Sequence, residues 1–361
     1  MTRIERIHAD DCSMIKRWKH KDLLIMSCEK NGWSPKARRF SSDTEDSISV
    51  DFELGNKYSQ AKEYYIFGVY DGHGVHDASK ISIKCSEHLP ENIAKNLSKK
   101  PKNKEEDIKN AIKKGFEETE LYMKSALVKE AQDSGCTALV AVLGPSRELV
   151  IANIGDSPGF ISSNEIFSLQ ITKEHDVHNR AEILRLRQQK KEKDGVGFSI
   201  YRLAPGRREK SWASEPEITD KYDANDINLL VLCSDGITNR LRAYKRMPTQ
   251  VLLSYIKKHI NKKDPLEEAC HELVKICDLV SQSGYCVDDM SILVIVFLNN
   301  KSLKQWCEDA TKRAENPEDW LQYKQQKYEE DISDISEEDL GVESPKNGPF
   351  YVDYVGRFLL H

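Results

Sequence analysis

The stretch YYIFGVYDGHGVHD, residues 64–77, runs apolar and aromatic side chains into an aspartate, a glycine, a histidine and a second glycine. Such a run reads as a buried strand, and Asp-Gly-His-Gly reads as a tight turn at its end. The turn carries a carboxylate and an imidazole, groups that can ligate a cation or move a proton.

Similar apolar runs recur at 137–143 (TALVAVL), 148–154 (ELVIANI), 227–233 (INLLVLC) and 291–297 (SILVIVF), several of them rich in Val and Ile. LGPSR, between the first two, is a turn, so these two form a hairpin. Helical spacing with charged outer faces marks 77–98, 104–130, 178–190, 247–262 and 266–282. Long helices beside strand hairpins predict an α+β protein with helices packed on sheets.

The 361 residues suit one large domain with tails. Acidic and basic residues nearly balance at a formal charge of -5, which gives no cationic field for nucleic acid or acidic lipid. No nucleic-acid partner is expected. Nine cysteines without a CxxC pair read as reduced thiols in a cytosolic or nuclear protein, with Cys136 and Cys233 as core. The opening MTRIERIHADDC has no apolar core of a secretory signal, and no window approaches a membrane span. A soluble, cytoplasmic or nuclear protein with no membrane partner is expected.

Two segments break the pattern. Residues 187–213 are basic and glycine-bearing, which reads as an exposed flap with one short strand. After about 313 the chain turns polar and then acidic, too poor in apolar surface to fold alone, before closing on PFYVDYVGRFLLH. The chain thus divides into an N-terminal segment (1–24), a main domain (25–300), a helix followed by an acidic disordered linker (301–348), and a C-terminal motif (349–361).

Acidic residues stand at strand ends or in glycine turns throughout the main domain: Glu45 and Asp46, Asp71, Asp156, Asp235, and Asp288 with Asp289. A sheet can gather them at one edge. Taken singly, an Asp-Gly is most often a turn and a Ser-Asp often a helix cap. Taken jointly they outline a hard-cation site, since several carboxylates from separate strand ends suit a pair of Mg²⁺ or Mn²⁺ ions. Two such ions clamp a phosphoryl group for in-line attack by water, and His73 could protonate the leaving oxygen.

The ordered set DGHG (71–74), SGCTALVAVL (134–143), ANIGDS (152–157), ITKEHDVHNRAEILRL (171–186), EPEI (215–218), LLVLCSDGI (229–237) and DDMSILVIV (288–296) resembles the metal-dependent type-2C Ser/Thr protein phosphatases over residues 25–300. The resemblance implies a sandwich of two antiparallel sheets flanked by helix pairs, in α-β-β-α layers. It implies that Asp71 bridges two metals, the Gly72 carbonyl ligates one of them, and Asp235 and Asp288 are further ligands. Glu45 and Asp46 would act near the metals or through water held there. Asp156 with Asp235 would serve a third, weaker ion, and His73 matches the family's general acid.

This chain departs from the family in three places. The family's phosphate-gripping arginine, four residues before the acidic dyad, falls on Ser41, with Arg38 and Arg39 nearby. The arginine usual after Gly-Asp-Ser is Pro158, and the flap's Ser-Arg-Ala-x-Gly-Asp stretch is missing. The tail is similar to the extreme C-terminal helix of the pseudophosphatases of this fold that bind TGF-β-activated kinase. Tyr351, Val352, Asp353 and Tyr354 match that motif, and Phe358 continues an apolar face at helical spacing.

These features together imply a regulatory protein that binds and activates a protein kinase of the MAP-kinase-kinase-kinase tier through its tail, with its metal site kept and phosphatase activity weak or absent. The alternative is an active Mn²⁺/Mg²⁺-dependent Ser/Thr phosphatase acting on a phosphoprotein. A plain interaction domain without ions fits least, because Asp71, Asp235 and Asp288 are retained.

Overall fold

A computed structural model describes residues 3–9, 13–34, 39–40, 44–74, 78–99, 104–127, 134–175, 215–281, 288–317, 351–352 and 358–359. Two antiparallel sheets lie at its centre. The first contains β1 (Arg3–Ala9), β2 (Ser13–His20), β3 (Leu23–Lys30), β12 (Gly159–Ser163), β13 (Leu169–Gln170), β16 (Ile227–Cys233) and β17 (Met290–Phe297), in the order β1-β2-β3-β17-β16-β12-β13. The second contains β6 (Ser47–Asp51), β7 (Tyr65–Tyr70), β10 (Ala138–Leu143), β11 (Glu148–Ile154) and β14 (Glu217–Ile218), in the order β14-β11-β10-β7-β6, with β15 (Tyr222–Asp223) also on β11. Short pairs join β4 (Trp33–Ser34) to β5 (Arg39–Phe40) and β8 (Gly72–Gly74) to β9 (Ser134–Cys136).

The near-continuous apolar strands follow from burial of both faces. Along β17, Leu293, Ile295 and Phe297 point into the layer between the sheets, while Ile292, Val294 and Val296 point to the helical side. Along β10, Leu139, Ala141 and Leu143 share that inter-sheet layer, while Val140 and Val142 face the other helices. Each fully buried aliphatic side chain contributes about 1.5–3 kcal/mol.

The second sheet is covered by α2 (Ala78–Asn96) and α3 (Lys104–Ala126), through Leu89, Ile93, Ile108, Ile112 and Phe116. The first is covered by α5 (Pro248–Lys258) and α6 (Pro265–Ser281), with α4 (Asp235–Leu241) and α7 (Leu303–Ala310) at its margins; α1 (Leu54–Lys57) is a single turn. The α-β-β-α sandwich expected from the sequence is the fold observed.

The expected hairpin across 143–148 is present, with Leu143 opposite Leu149 and Gly144 N–H donating to the Glu148 carbonyl at 2.7 Å. Residues set apart as an N-terminal segment carry β1 and β2, which extend the first sheet in register with β3. At the other end, Tyr351–Val352 (β18) pairs antiparallel with Phe358–Leu359 (β19), so Tyr351, Val352 and Phe358 lie in extended backbone where the sequence suggested a helix. Pairing supplies the backbone partners that a short isolated helix closes poorly. Asp353 and Tyr354, the expected helix at 178–190 and the whole flap at 187–213 fall outside the described residues, as do Arg38 and Ser41. Among the described residues no helix is long and apolar enough to cross a membrane.

Candidate metal centre

β7 ends at Tyr70, and Asp71 follows in the turn to β8. Two bonds to one threonine fix the turn: Thr137 N–H donates to the Asp71 carbonyl at 2.8 Å, and Asp71 N–H donates to Thr137 Oγ1 at 3.1 Å. Gly72 must be glycine, because a Cβ there would sit 2.4 Å from the Glu45 carbonyl oxygen and 2.8 Å from that of Ala78. Gly72 N–H donates to the same Glu45 carbonyl at 3.2 Å, which brings the dyad segment against the turn.

Asp46 is 4% exposed just before β6, and its Oδ2 is buried with no hydrogen-bond partner among the described residues. Asp235 is the first residue of α4, 6% exposed at the end of β16. Asp288 lies exposed, separated from β17 by Asp289, and Asp156 lies in the turn after β11. Burial raises Asp71 well above the ordinary carboxylate range, and the charges of Asp46, Asp235, Asp288 and Asp156 push it the same way. Five aspartates from five segments therefore meet in one field. Burial also raises Asp46, against the hydroxyls of Ser291 and Ser234 that pull it back, with Asp289 and Asp288 adding to the rise. Glu45 is exposed as a whole residue, yet partial desolvation of its carboxyl raises it, and the charges of Asp289 and Asp288 add to the rise. His73 is exposed on β8, opposite Gly135 of β9.

Among the described residues no three His, Cys, Asp or Glu side chains close into a single ligand set. The aspartates share a field rather than one coordination sphere. Their chemistry suits a hard divalent cation all the same: the donors are oxygens, Asp46 Oδ2 is an orphaned buried acceptor, and the backbone at Gly72 leaves no room for a side chain. Protons held by these raised carboxyls are what a bound cation would displace.

Several residues order the centre through partners that the sequence alone does not announce. Asp289, beside Asp288, turns inward and accepts from Gly32 N–H and Glu45 N–H, both at 2.5 Å, which ties the dyad loop to the start of β17. A Cβ on Gly236 would meet the Asp289 carbonyl at 2.0 Å, so α4 can open only with glycine there. Ser234 and Ser291 exchange backbone bonds, Ser234 N–H to the Ser291 carbonyl at 2.9 Å and Ser291 N–H to Ser234 Oγ at 2.9 Å, which locks β16 to β17 beneath Asp46. Thr137 Oγ1 also lies 2.7 Å from Ser157 Oγ, linking the Asp71 and Asp156 turns. Each acts through a partner distant in sequence, and a single chain read in order shows no such pairing.

The family model for Protein phosphatase 2C matches residues 32–280, more than half of the chain. The chain belongs to the protein phosphatase 2C family. It is 27% identical over 284 residues to Protein phosphatase 1A of Bos taurus, covering 73% of this chain and 70% of that protein. To the Homo sapiens protein of the same name it is 28% identical over 261 residues, covering 67% and 64%. It is 25% identical to Protein phosphatase 2C homolog 2 of Aspergillus fumigatus, covering 71% and 60%. The chain therefore spans about two thirds of the length of these phosphatase 2C relatives. A solved structure described as a C. elegans sex determining protein shares the fold at a TM-score of 0.59 and 20% identity, covering 81% of this chain and 68% of that one. Phosphatase 2C proteins are generally dependent on Mn²⁺ or Mg²⁺.

Proposed function

We propose that this phosphatase 2C chain is a Mn²⁺- or Mg²⁺-dependent phosphatase acting on phosphorylated serine or threonine in proteins, slowed by an altered phosphate grip. The convergence of Asp46, Asp71, Asp156, Asp235 and Asp288 in one field carries this reading. Asp71, the Gly72 carbonyl, Asp235 and Asp288 would hold two cations, with Glu45 and Asp46 beside them and Asp156 with Asp235 serving a third, weaker one. Bound cations polarise phosphoryl oxygens and lower the pKa of water. His73, exposed on β8, delivers a proton to the departing serine or threonine oxygen. Ser41 and Pro158 stand where the family carries arginines, and losing a bidentate guanidinium at the phosphate costs on the order of several kcal/mol in the transition state.

The test is hydrolysis of para-nitrophenyl phosphate and of a phosphothreonine peptide with Mn²⁺ present. Wild type should turn over slowly but measurably, and Asp235→Ala should fall to background. Equal rates in the two proteins sink the enzyme reading.

The tail favours a second reading. Tyr351-Val352-Asp353-Tyr354 at the end of an acidic stretch, on a domain whose phosphate grip is altered, suits a protein that docks and activates a kinase of the MAP-kinase-kinase-kinase tier. The two readings are compatible, because the docking segment and the carboxylates are separate parts of the chain.

A further inference from the structure

The turn that carries Asp156 is braced by a residue with no role so far. Gly155 has φ +108, and a Cβ there would collide with Thr137 Cγ2 at 2.6 Å, so Thr137 closes one side of the turn. His175 bonds to it twice. Gly155 N–H donates to His175 Nδ1 at 3.3 Å, and His175 N–H donates to the Gly155 carbonyl at 3.0 Å. Asn153, 1% exposed, adds a third tie through Nδ2, which donates to the Gly155 carbonyl at 2.9 Å and the Lys173 carbonyl at 3.1 Å. A ring nitrogen that accepts from an amide carries no proton, so His175 is the neutral tautomer with its hydrogen on Nε2. That nitrogen faces Glu217 Oε2 at 3.8 Å, and Glu217 is held by Lys173 at 3.2 Å and lies opposite Asn153 in the β11–β14 pair.

We propose that His175 is a positioning residue that sets the Asp156 turn for the weaker cation. This rests on reading Asp156 as a ligand of that cation. Asp156 follows Gly155 directly, so the backbone direction at Gly155 decides where its carboxylate points. Without the Nδ1 acceptor the Gly155 amide loses a bond worth about 1 kcal/mol, and the turn keeps its positive φ with one brace fewer.

Three variants separate this role from plain packing. His175→Phe keeps the ring and removes the acceptor; His175→Asn returns an acceptor near the Nδ1 position; His175→Gln, which reaches toward Nε2 instead, replaces the Phe variant if that one does not fold. Amide exchange at Gly155 should quicken by about fivefold in His175→Phe, the factor that corresponds to one lost hydrogen bond, and return in His175→Asn. Calorimetric titration with Mn²⁺ should show the weak class of sites weakened about fivefold in His175→Phe, lost in Asp156→Ala, restored in His175→Asn, with the tighter class unchanged. Weak-site affinity equal in wild type and His175→Phe overturns the role of His175 alone. A wild type with no weak Mn²⁺ class overturns the metal reading of Asp156, and the role of His175 falls with it. Failure of His175→Asn to recover either measurement shows that the ring is packing and overturns the proposal.

Discussion

At the residue scale, Asp51 shows what burial does to a carboxylate away from the metal centre. It ends β6 opposite Ile66, and burial together with the nearby Glu91 charge pushes its pKa up to about 7. In the unfolded chain it titrates near 4. The unfolded state therefore loses its proton first as pH rises, and stability falls between about pH 4 and pH 7. Partial exposure screens the cost to on the order of 2 kcal/mol. Asp51→Asn should raise the melting temperature by a few degrees at pH 8 and by little at pH 5. Parallel melting curves for the two proteins across that range would show that the carboxyl is not held neutral by the fold. The same scale explains how far the site was legible in the sequence. Asp71, Asp235 and Asp288 were visible because each stands next to the end or the start of an apolar run, a local signal. Asp289 was visible beside Asp288, but its inward role was not, being defined by the amides of Gly32 and Glu45 far away in sequence; the role of His175 was not either, since its partner is the Gly155 amide in a separate turn.

At the element scale, close packing between α2 and α3 makes a sharper demand than apolar periodicity. The helices lie side by side through Asn92 Nδ2 donating to Thr119 Oγ1 at 2.9 Å and through the rings of His88 and Tyr122, tilted by 37° with 3.8 Å between centroids. Gly115 sits where they are closest: a Cβ there would be 2.5 Å from Ile93 Cγ1 and 3.0 Å from the Ile93 amide nitrogen. Gly115→Ala gains about 1 kcal/mol of helix propensity but overpacks a core site at a cost of about 1–3 kcal/mol. The expected net is a loss on the order of 1 kcal/mol, read as a lower urea midpoint with an unchanged slope, and a larger loss for Gly115→Val. An alanine variant as stable as wild type would mean that the helices separate freely. Element by element, the strands buried on both faces were legible to within a residue, because β7, β10, β11, β16 and β17 are near-continuous apolar runs. β1 and β2 were not, because RIERIHA and SMIKRWKH mix charges into their alternation, and α4 escaped because seven residues give too few turns to show a period.

At the scale of the whole molecule, the three apolar clusters run from Ile15 to Ala314, so the buried core among the described residues ends before the acidic stretch begins. The last turn of this core is strapped down. Arg313 donates to the Ser163 and Glu165 carbonyls, both at 2.9 Å, Lys257 donates to the Ala314 carbonyl at 2.5 Å, and Arg246 pairs with Glu315 at 2.6 Å. Deleting residues 349–361 removes none of the cluster residues between Ile15 and Ala314, and should leave the melting temperature within about 1 °C of wild type and Mn²⁺ binding unchanged. If the tail docks a kinase of the MAP-kinase-kinase-kinase tier, the same deletion should abolish coprecipitation with coexpressed kinases of that tier, while Asp235→Ala in the full chain should not. Recovery of the same kinase by both the full and the shortened chain would move the docking surface onto the sandwich itself, and recovery by neither would leave the phosphatase reading to stand alone.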